Sequence, residues 1–171
     1  MKKQNVFLVI LGLMGINLIS KAGSLYTSAI NFIKVKEGGL YLKAYLDSGG
    51  VPTIGWGSTY DFDKQRPVKM GDTITEAQAQ KWLVMETSQN AADIKSLVKV
   101  PLTNNQLNSL ISLVYNIGIN AFRNSTMLKL LNSNISKTIV ANEFDKWVYD
   151  NGKKIQGLIN RRIAEKKLFL T

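Results

Sequence analysis

Acidic residues are scarce in this sequence, 12 against 22 lysines and arginines, so the few in one glycine-rich stretch stand out. They are Glu37, Asp47, Asp61, Asp63 and Asp72. Glu37 falls at an apparent helix end and is followed by Gly38-Gly39. Asp47 falls at the turn closing the next strand, and Thr53 lies on the strand after it. An acid, a second carboxylate and a hydroxyl able to hold water suit hydrolysis of an acetal bond. One protonated carboxyl donates to the leaving oxygen, while the ionised one stabilises positive charge on the sugar or activates water. Spacing alone is weak evidence here, because surface acids are usually only solvated.

Two absences narrow the chemistry. The chain has no Cys and no His. Disulfides, thiolate nucleophiles, thiolate or imidazole zinc sites and a Ser-His-Asp triad are therefore excluded. Protons must move through carboxylates, Lys or Tyr, or else a carboxylate cluster must hold a hard metal. The net charge of +10 and pI of 9.8 suit an anionic partner: nucleic acid, a membrane surface or an anionic polymer such as a bacterial cell wall. Solubility alone is the plainer explanation. No run of five basic residues occurs, and Lys153-Lys154, Arg161-Arg162 and Lys166-Lys167 fit one face of a helical stretch. That pattern argues against specific nucleic-acid binding.

The elements that must position these acids can be read around them. With 171 residues and 45% apolar content, the chain can bury one core. Ile30, Phe32, Ile33 and Val35 lie in a short helix leading into Glu37. Tyr41 to Tyr45 and Val51 to Trp56 read as short strands around the turn Ser48-Gly49-Gly50. Helices follow. Thr75 and Gln78 have capping-box spacing and open a helix to about Leu97; Thr103 and Gln106 repeat it. Leu107, Leu110, Ile111 and Val114 then mark one buried helical face. A short helix runs through Leu131. Ser136 caps another with Val140, Phe144 and Trp147 inward, and Asn151-Gly152 is a turn. A last helix from Ile155 to Leu170 places Leu158, Ile159 and Ile163 inward. Short strands followed by helices predict an α+β fold, a small sheet lobe beside a helical lobe with a cleft between.

The amino terminus reads differently. Lys2 and Lys3 precede the uncharged, apolar Val6 to Ile19, and Ser20-Lys21-Ala22 offers small residues for a cleavage site. The length suits a secretory leader better than a membrane span of about 20 residues. A buried first helix is the alternative. Gly12, Gly15 and Asn17 weaken a permanent anchor, so residues 6–19 are expected to hold the chain in a membrane only transiently. The expected organisation is a leader over 1–22 and one domain over 23–171.

A resemblance now joins these readings. The stretch from Glu37-Gly38-Gly39 through Tyr45-Leu46-Asp47 to Thr53-Ile54-Gly55-Trp56-Gly57 resembles the catalytic segment of phage-type lysozymes, glycoside hydrolase family twenty-four. Val114-Tyr115-Asn116-Ile117-Gly118 with Ala121 to Leu128 is similar to that family's second signature, and Trp147-Val148-Tyr149 with Gly157 to Arg162 to its third. The resemblance implies a lysozyme-like, cofactor-free and metal-free muramidase that cuts peptidoglycan, acts as a monomer and is exported to the periplasm or beyond. It implies Glu37 as general acid, Asp47 as second carboxylate and Thr53 as the residue placing water. It implies sugar contacts from Asn116, Phe122 and Ser125, and Arg162 as a supporting residue bonded to Glu37. Phe122 could equally be core, Ser125 a helix cap, and Arg162 a partner of Glu143 or Asp145. Trp56 reads as core more than as a sugar platform, and Tyr45 and Trp147 read as core.

Two departures stand against the family pattern. Nine residues, not the usual eight, separate Glu37 from Asp47, and Ser58 stands where many members carry His. The extra residue is expected at Gly38-Gly39, where a bulge costs little. Within the strand, one added residue would turn Asp47 to the wrong face. A non-catalytic wall-binding module of the same shape and a cationic membrane-permeabilising protein remain the rival functions.

Overall fold

The computed structural model describes residues 25–171. The expected leader over 1–22, with its apolar segment 6–19, lies outside the described residues. Helix α1 (Thr27–Lys36) buries Ala29, Ile30 and Ile33 and ends at Glu37, whose N–H bonds the Ile33 carbonyl at 2.9 Å. Gly38 follows at φ +76°, the left-handed conformation that closes a helix and that glycine adopts without a Cβ penalty. The last turn of α1 and this glycine fix where Glu37 leaves the helix.

Strands β1 (Tyr41–Leu46) and β2 (Pro52–Gly55) form an antiparallel hairpin. Tyr41 faces Gly55 but Tyr45 faces Thr53, so four steps on β1 meet two on β2. The register irregularity therefore lies inside β1, between Tyr41 and Tyr45, just downstream of Gly38-Gly39, which are both at positive φ. A slip of two preserves the alternation of faces that a slip of one would invert. The bulged part of β1 bonds instead to the segment at 72–74, through Ala44 N–H to the Asp72 carbonyl at 2.9 Å and Ile74 N–H to the Leu42 carbonyl at 3.0 Å. Strands β3 (Tyr60–Asp61) and β4 (Arg66–Pro67) make a second small ladder.

Helix α2 (Glu76–Leu97) starts on the predicted Thr75–Gln78 capping box, and α3 (Asn104–Ile117) on that of Thr103–Gln106. Then come α4 (Ile119–Arg123), α5 (Thr126–Asn132) and α6 (Lys137–Asn142), the last continued by a 3₁₀ turn over Glu143–Lys146. Strands β5 (Tyr149–Asp150) and β6 (Lys153–Lys154) flank Asn151-Gly152, both at positive φ, as a two-residue hairpin demands. Helix α7 (Gln156–Leu170) closes the chain against α3.

Two apolar clusters result. One gathers Ile30, Ile33, Ile54, Trp56, Trp82 and Leu83 beneath the small strands; Trp56 is core, as expected. The other gathers Ile94, Leu110, Ile111, Phe122, Phe144 and Phe169 among the helices. At about 1.5 Å per residue, α2 reaches from one cluster to the other, and its middle residues lie between them. The architecture is the α+β pair of lobes that the sequence predicts. One inward residue was misplaced: Ile163 is 58% exposed, because α7 buries Arg161, Arg162, Glu165 and Phe169 instead.

Candidate active site

Between the lobes runs a cleft of about 760 Å³. Glu37 enters it from the end of α1, Tyr45, Asp47 and Thr53 from the β1–β2 hairpin, Glu86, Gln89, Asn90 and Asp93 from the middle of α2, and Tyr115 and Asn116 from the end of α3. The hairpin sets the relative placement. Tyr45 pairs with Thr53, and Asp47 sits just beyond, its N–H bonded to the Val51 carbonyl at 3.0 Å. Tyr45 is half-buried and faces the cleft, so it is not the core residue its sequence context suggested. Burial, then the charges of Glu37 and Asp47, push its hydroxyl above the ordinary tyrosine value. One phenol thus senses both carboxylates.

Each of the three expected groups is held in a defined way. Arg161 Nη1 donates to Glu37 Oε1 at 2.7 Å. On the other side, a Cβ placed on Gly57 (φ +96°) would stand 2.9 Å from Glu37 Oε2. Only glycine allows the backbone to come this close to the carboxyl. Asp47 Oδ1 accepts from Gly49 N–H at 2.9 Å and Val51 N–H at 2.8 Å, which orients the carboxylate and leaves Oδ2 without a donor among the described residues. Thr53 is 3% exposed, and its hydroxyl donates to the Val51 carbonyl at 3.0 Å. With its proton committed there, the Thr53 oxygen is turned into an acceptor, the half of a hydroxyl that can orient a water.

The arginine differs from expectation by one residue. Arg161, not Arg162, bonds Glu37. Arg161 is itself fixed by Glu165 at 3.2 Å and by the Ser112 carbonyl at 3.2 Å. Arg162 is fully buried, lies 2.8 Å from Glu165 Oε2 and donates through Nη2 to Asn116 Oδ1 at 3.0 Å. Guanidinium only donates, so Asn116 must turn its oxygen to Arg162 and its NH2 group remains for the cleft. Neither Glu143 nor Asp145 takes part: they pair with Lys146 and Lys166.

Two expected sugar contacts are corrected. Phe122 is 0% exposed within the helical core. Ser125 caps α5, accepting from Leu128 N–H at 3.1 Å and donating to the Phe122 carbonyl at 2.7 Å. Both alternatives weighed for these residues, core and cap, describe them. Asn116 alone of the three reaches the cleft.

The sequence reading missed Arg161, Tyr115 and the polar stripe on α2. Glu86, Gln89, Asn90 and Asp93 recur at helical spacing beside the buried Leu83, Val84 and Ile94, which was the available signal. The cleft lining holds four acids, Glu37, Asp47, Glu86 and Asp93, and no lysine or arginine, although the chain carries +10. A phosphodiester backbone would be repelled there. Among the described residues no group of three or more carboxylates is arranged to hold a metal ion.

Comparison with known proteins places the chain in a family. The phage lysozyme family model matches residues 35–165. An endolysin of Acyrthosiphon pisum secondary endosymbiont phage 1 is 44% identical over 135 residues, covering 77% of this chain and 88% of that protein. A SAR-endolysin of bacteriophage PS119 is 32% identical over 132 residues, covering 77% and 75%. The solved endolysin of Escherichia coli O157:H7 phage FAHEc1 superposes with a TM-score of 0.71 at 39% identity, covering 83% of this chain and 90% of its own. The chain belongs to the phage lysozyme family, and it is a glycoside hydrolase of the lysozyme type.

Proposed function

We propose that the chain hydrolyses the β-1,4 bond between N-acetylmuramic acid and N-acetylglucosamine in peptidoglycan, with Glu37 as proton donor, and so lyses the bacterial cell wall. The observation that carries the residue assignment is the convergence of Glu37, Asp47 and Thr53 on one cleft. Glu37 protonates the glycosidic oxygen. Asp47 and the accepting oxygen of Thr53 hold a water on the opposite face of the sugar, and Asp47 takes its proton as it attacks the anomeric carbon. That arrangement inverts the anomeric centre and releases an α-configured reducing end. The Asn116 NH2 group offers a donor to a sugar carbonyl or hydroxyl. The acidic cleft accepts uncharged sugar rings, while the cationic remainder of the surface concentrates the enzyme on an anionic wall. Hydrolysis therefore slows as ionic strength rises, and a salt-independent rate contradicts the steering.

Residues 1–22 act as an export leader, the protein works outside the cytoplasm as a monomer, and residues 6–19 hold it transiently at the membrane. The apolar run after Lys2-Lys3 and the relatives named SAR-endolysins support the export leader and the transient membrane association. No helix among the described residues is long and apolar enough to cross a membrane. The decisive experiment digests purified peptidoglycan and identifies the released ends by mass spectrometry. Reducing muramic acid ends establish hydrolysis. Anhydro-sugar ends indicate a lytic transglycosylase, and wall binding with no new ends indicates a binding module.

A further inference from the structure

The turn after β2 joins two carboxyl groups, only one of which the mechanism uses. Gly57 touches Glu37, and the next residue, Ser58, places its Oγ 2.8 Å from Glu86 Oε1. The preceding residue completes the frame, since Tyr115 Oη donates to the Trp56 carbonyl at 2.8 Å. Three consecutive residues thus connect Glu37, Glu86 and Tyr115 across the floor of the cleft. We propose that Glu86 is a positioning residue for the catalytic proton: across this turn its charge favours the protonated, proton-donating form of Glu37.

The surroundings of Glu86 make it a poor carboxylate. Its Oε2 is buried without a hydrogen-bond partner. The Tyr115 hydroxyl lies within reach of Glu86 as well as of the Trp56 carbonyl, but it has one proton for two acceptors. The Ser58 hydroxyl divides its proton in the same way between Glu86 and the Tyr60 carbonyl at 3.0 Å. A protonated Glu86 relieves this shortage, because it can donate to one of those oxygens. Burial first of all, with repulsion from Glu37, pushes Glu86 up to about 7, against the Ser58 and Tyr115 hydrogen bonds. Burial and the charges of Glu86 and Glu37 keep Tyr115 protonated, with its hydroxyl well above the usual range.

The charged and titratable groups around Glu86 can be named by element. Glu37 comes from the end of α1, whose Lys34 is occupied over the Trp56 ring at 4.1 Å. Tyr115 comes from α3, and Arg161 of α7 stands behind Glu37. Tyr60 and Asp47 lie across the cleft, and Asp93 is one cleft step further along α2. Arg161 favours the ionised form of its partner, which is the wrong form for a proton donor. Glu86 is the opposing charge. Electrostatic coupling is reciprocal, so the repulsion acting on Glu86 acts equally on Glu37.

The inference rests on Glu37 being the proton donor, and two arms test it separately from that reading. In the first, the pH dependence of kcat/KM on peptidoglycan is measured for the full chain, Glu86→Gln and Ser58→Ala, each checked for an unchanged fold by circular dichroism. Glu86→Gln keeps the Ser58 contact but loses the charge. Its alkaline limb moves to lower pH by at least ~0.5 unit. Ser58→Ala moves it the same way by less, because Glu86 then ionises later. Superimposable profiles for the parent and Glu86→Gln overturn the proposal. In the second arm, the Glu86 carboxyl carbon is titrated by NMR in the parent and in Glu37→Gln. The midpoint falls in Glu37→Gln; an unmoved midpoint overturns the proposal whether or not the chain cleaves peptidoglycan. Coupling in the second arm with an inactive parent removes the muramidase reading and retains the electrostatic pair.

Discussion

Helices α3 and α7 pack against each other but bury opposite kinds of residue. Helix α3 turns Leu107, Leu110, Ile111 and Val114 inward. Helix α7 buries Arg161, Arg162 and Glu165 beside the single large apolar Phe169. The first face contributes stability through area removed from water. The second is expensive to desolvate, and its charges are retained where they organise the cleft: Arg161 holds Glu37 and Arg162 turns Asn116. Across these two helices, the buried ions serve the site and the buried hydrocarbons the scaffold.

The contrast can be broken at either helix. The largest effect is expected from Glu165→Ala, which leaves two buried guanidiniums without their shared anion. It should cost about 3–5 kcal/mol in urea denaturation. Leu110→Ala on α3 should cost about 2–5 kcal/mol by the same measurement, with kcat/KM per folded molecule unchanged. An activity loss beyond the unfolded fraction would blur the division between site and scaffold. Glu86→Gln should be stabilising, and the sign depends on pH. In the native state Glu86 sits near 7 against 4.5 as its ordinary value, so the folded chain binds the extra proton between those values. Parent stability therefore falls as pH rises through that window. The advantage of Glu86→Gln should grow from nothing at pH 4 to, at most, on the order of 3 kcal/mol at pH 8. Thermal melts at the two pH values check it. Arg162→Met should sharpen the contrast within α7 itself: by freeing Asn116 it should raise KM by about fivefold with kcat retained. Smallest of all, Thr103→Ala removes the cap of α3 and should cost about 1 kcal/mol with no change in activity.

The same contrast explains how much the sequence made legible. The α3 face appears as an apolar repeat at helical spacing, and the capping boxes at Thr75 and Thr103 mark helix starts to the residue. Helix α7 does not follow that rule. Placing Leu158, Ile159 and Ile163 inward assumes that apolar side chains choose the buried face, whereas here an ionic cluster does, and Ile163 is left outside. The same assumption assigned the Glu37 contact to Arg162, the deeper neighbour, when both arginines are buried and only geometry separates them. Phe122 and Ser125 lie in a stretch whose residue types serve core and cap as readily as sugar. The irregularity inside β1 was not legible, because the segment at 72–74, which satisfies the bulged backbone, is distant in sequence. The placement of Glu37, Asp47 and Thr53 at the cleft, by contrast, was legible because it is local: a helix end, a turn and the facing strand.

In the proposed mechanism Glu37 delivers the proton. Its most direct test is Glu37→Gln, an isosteric change that still accepts from Arg161, assayed as turnover of purified peptidoglycan beside the parent. Proton delivery by Glu37 predicts a loss of about 10³-fold in kcat with wall binding and melting temperature preserved. A folded Glu37→Gln variant that turns over at the parent's rate would contradict it.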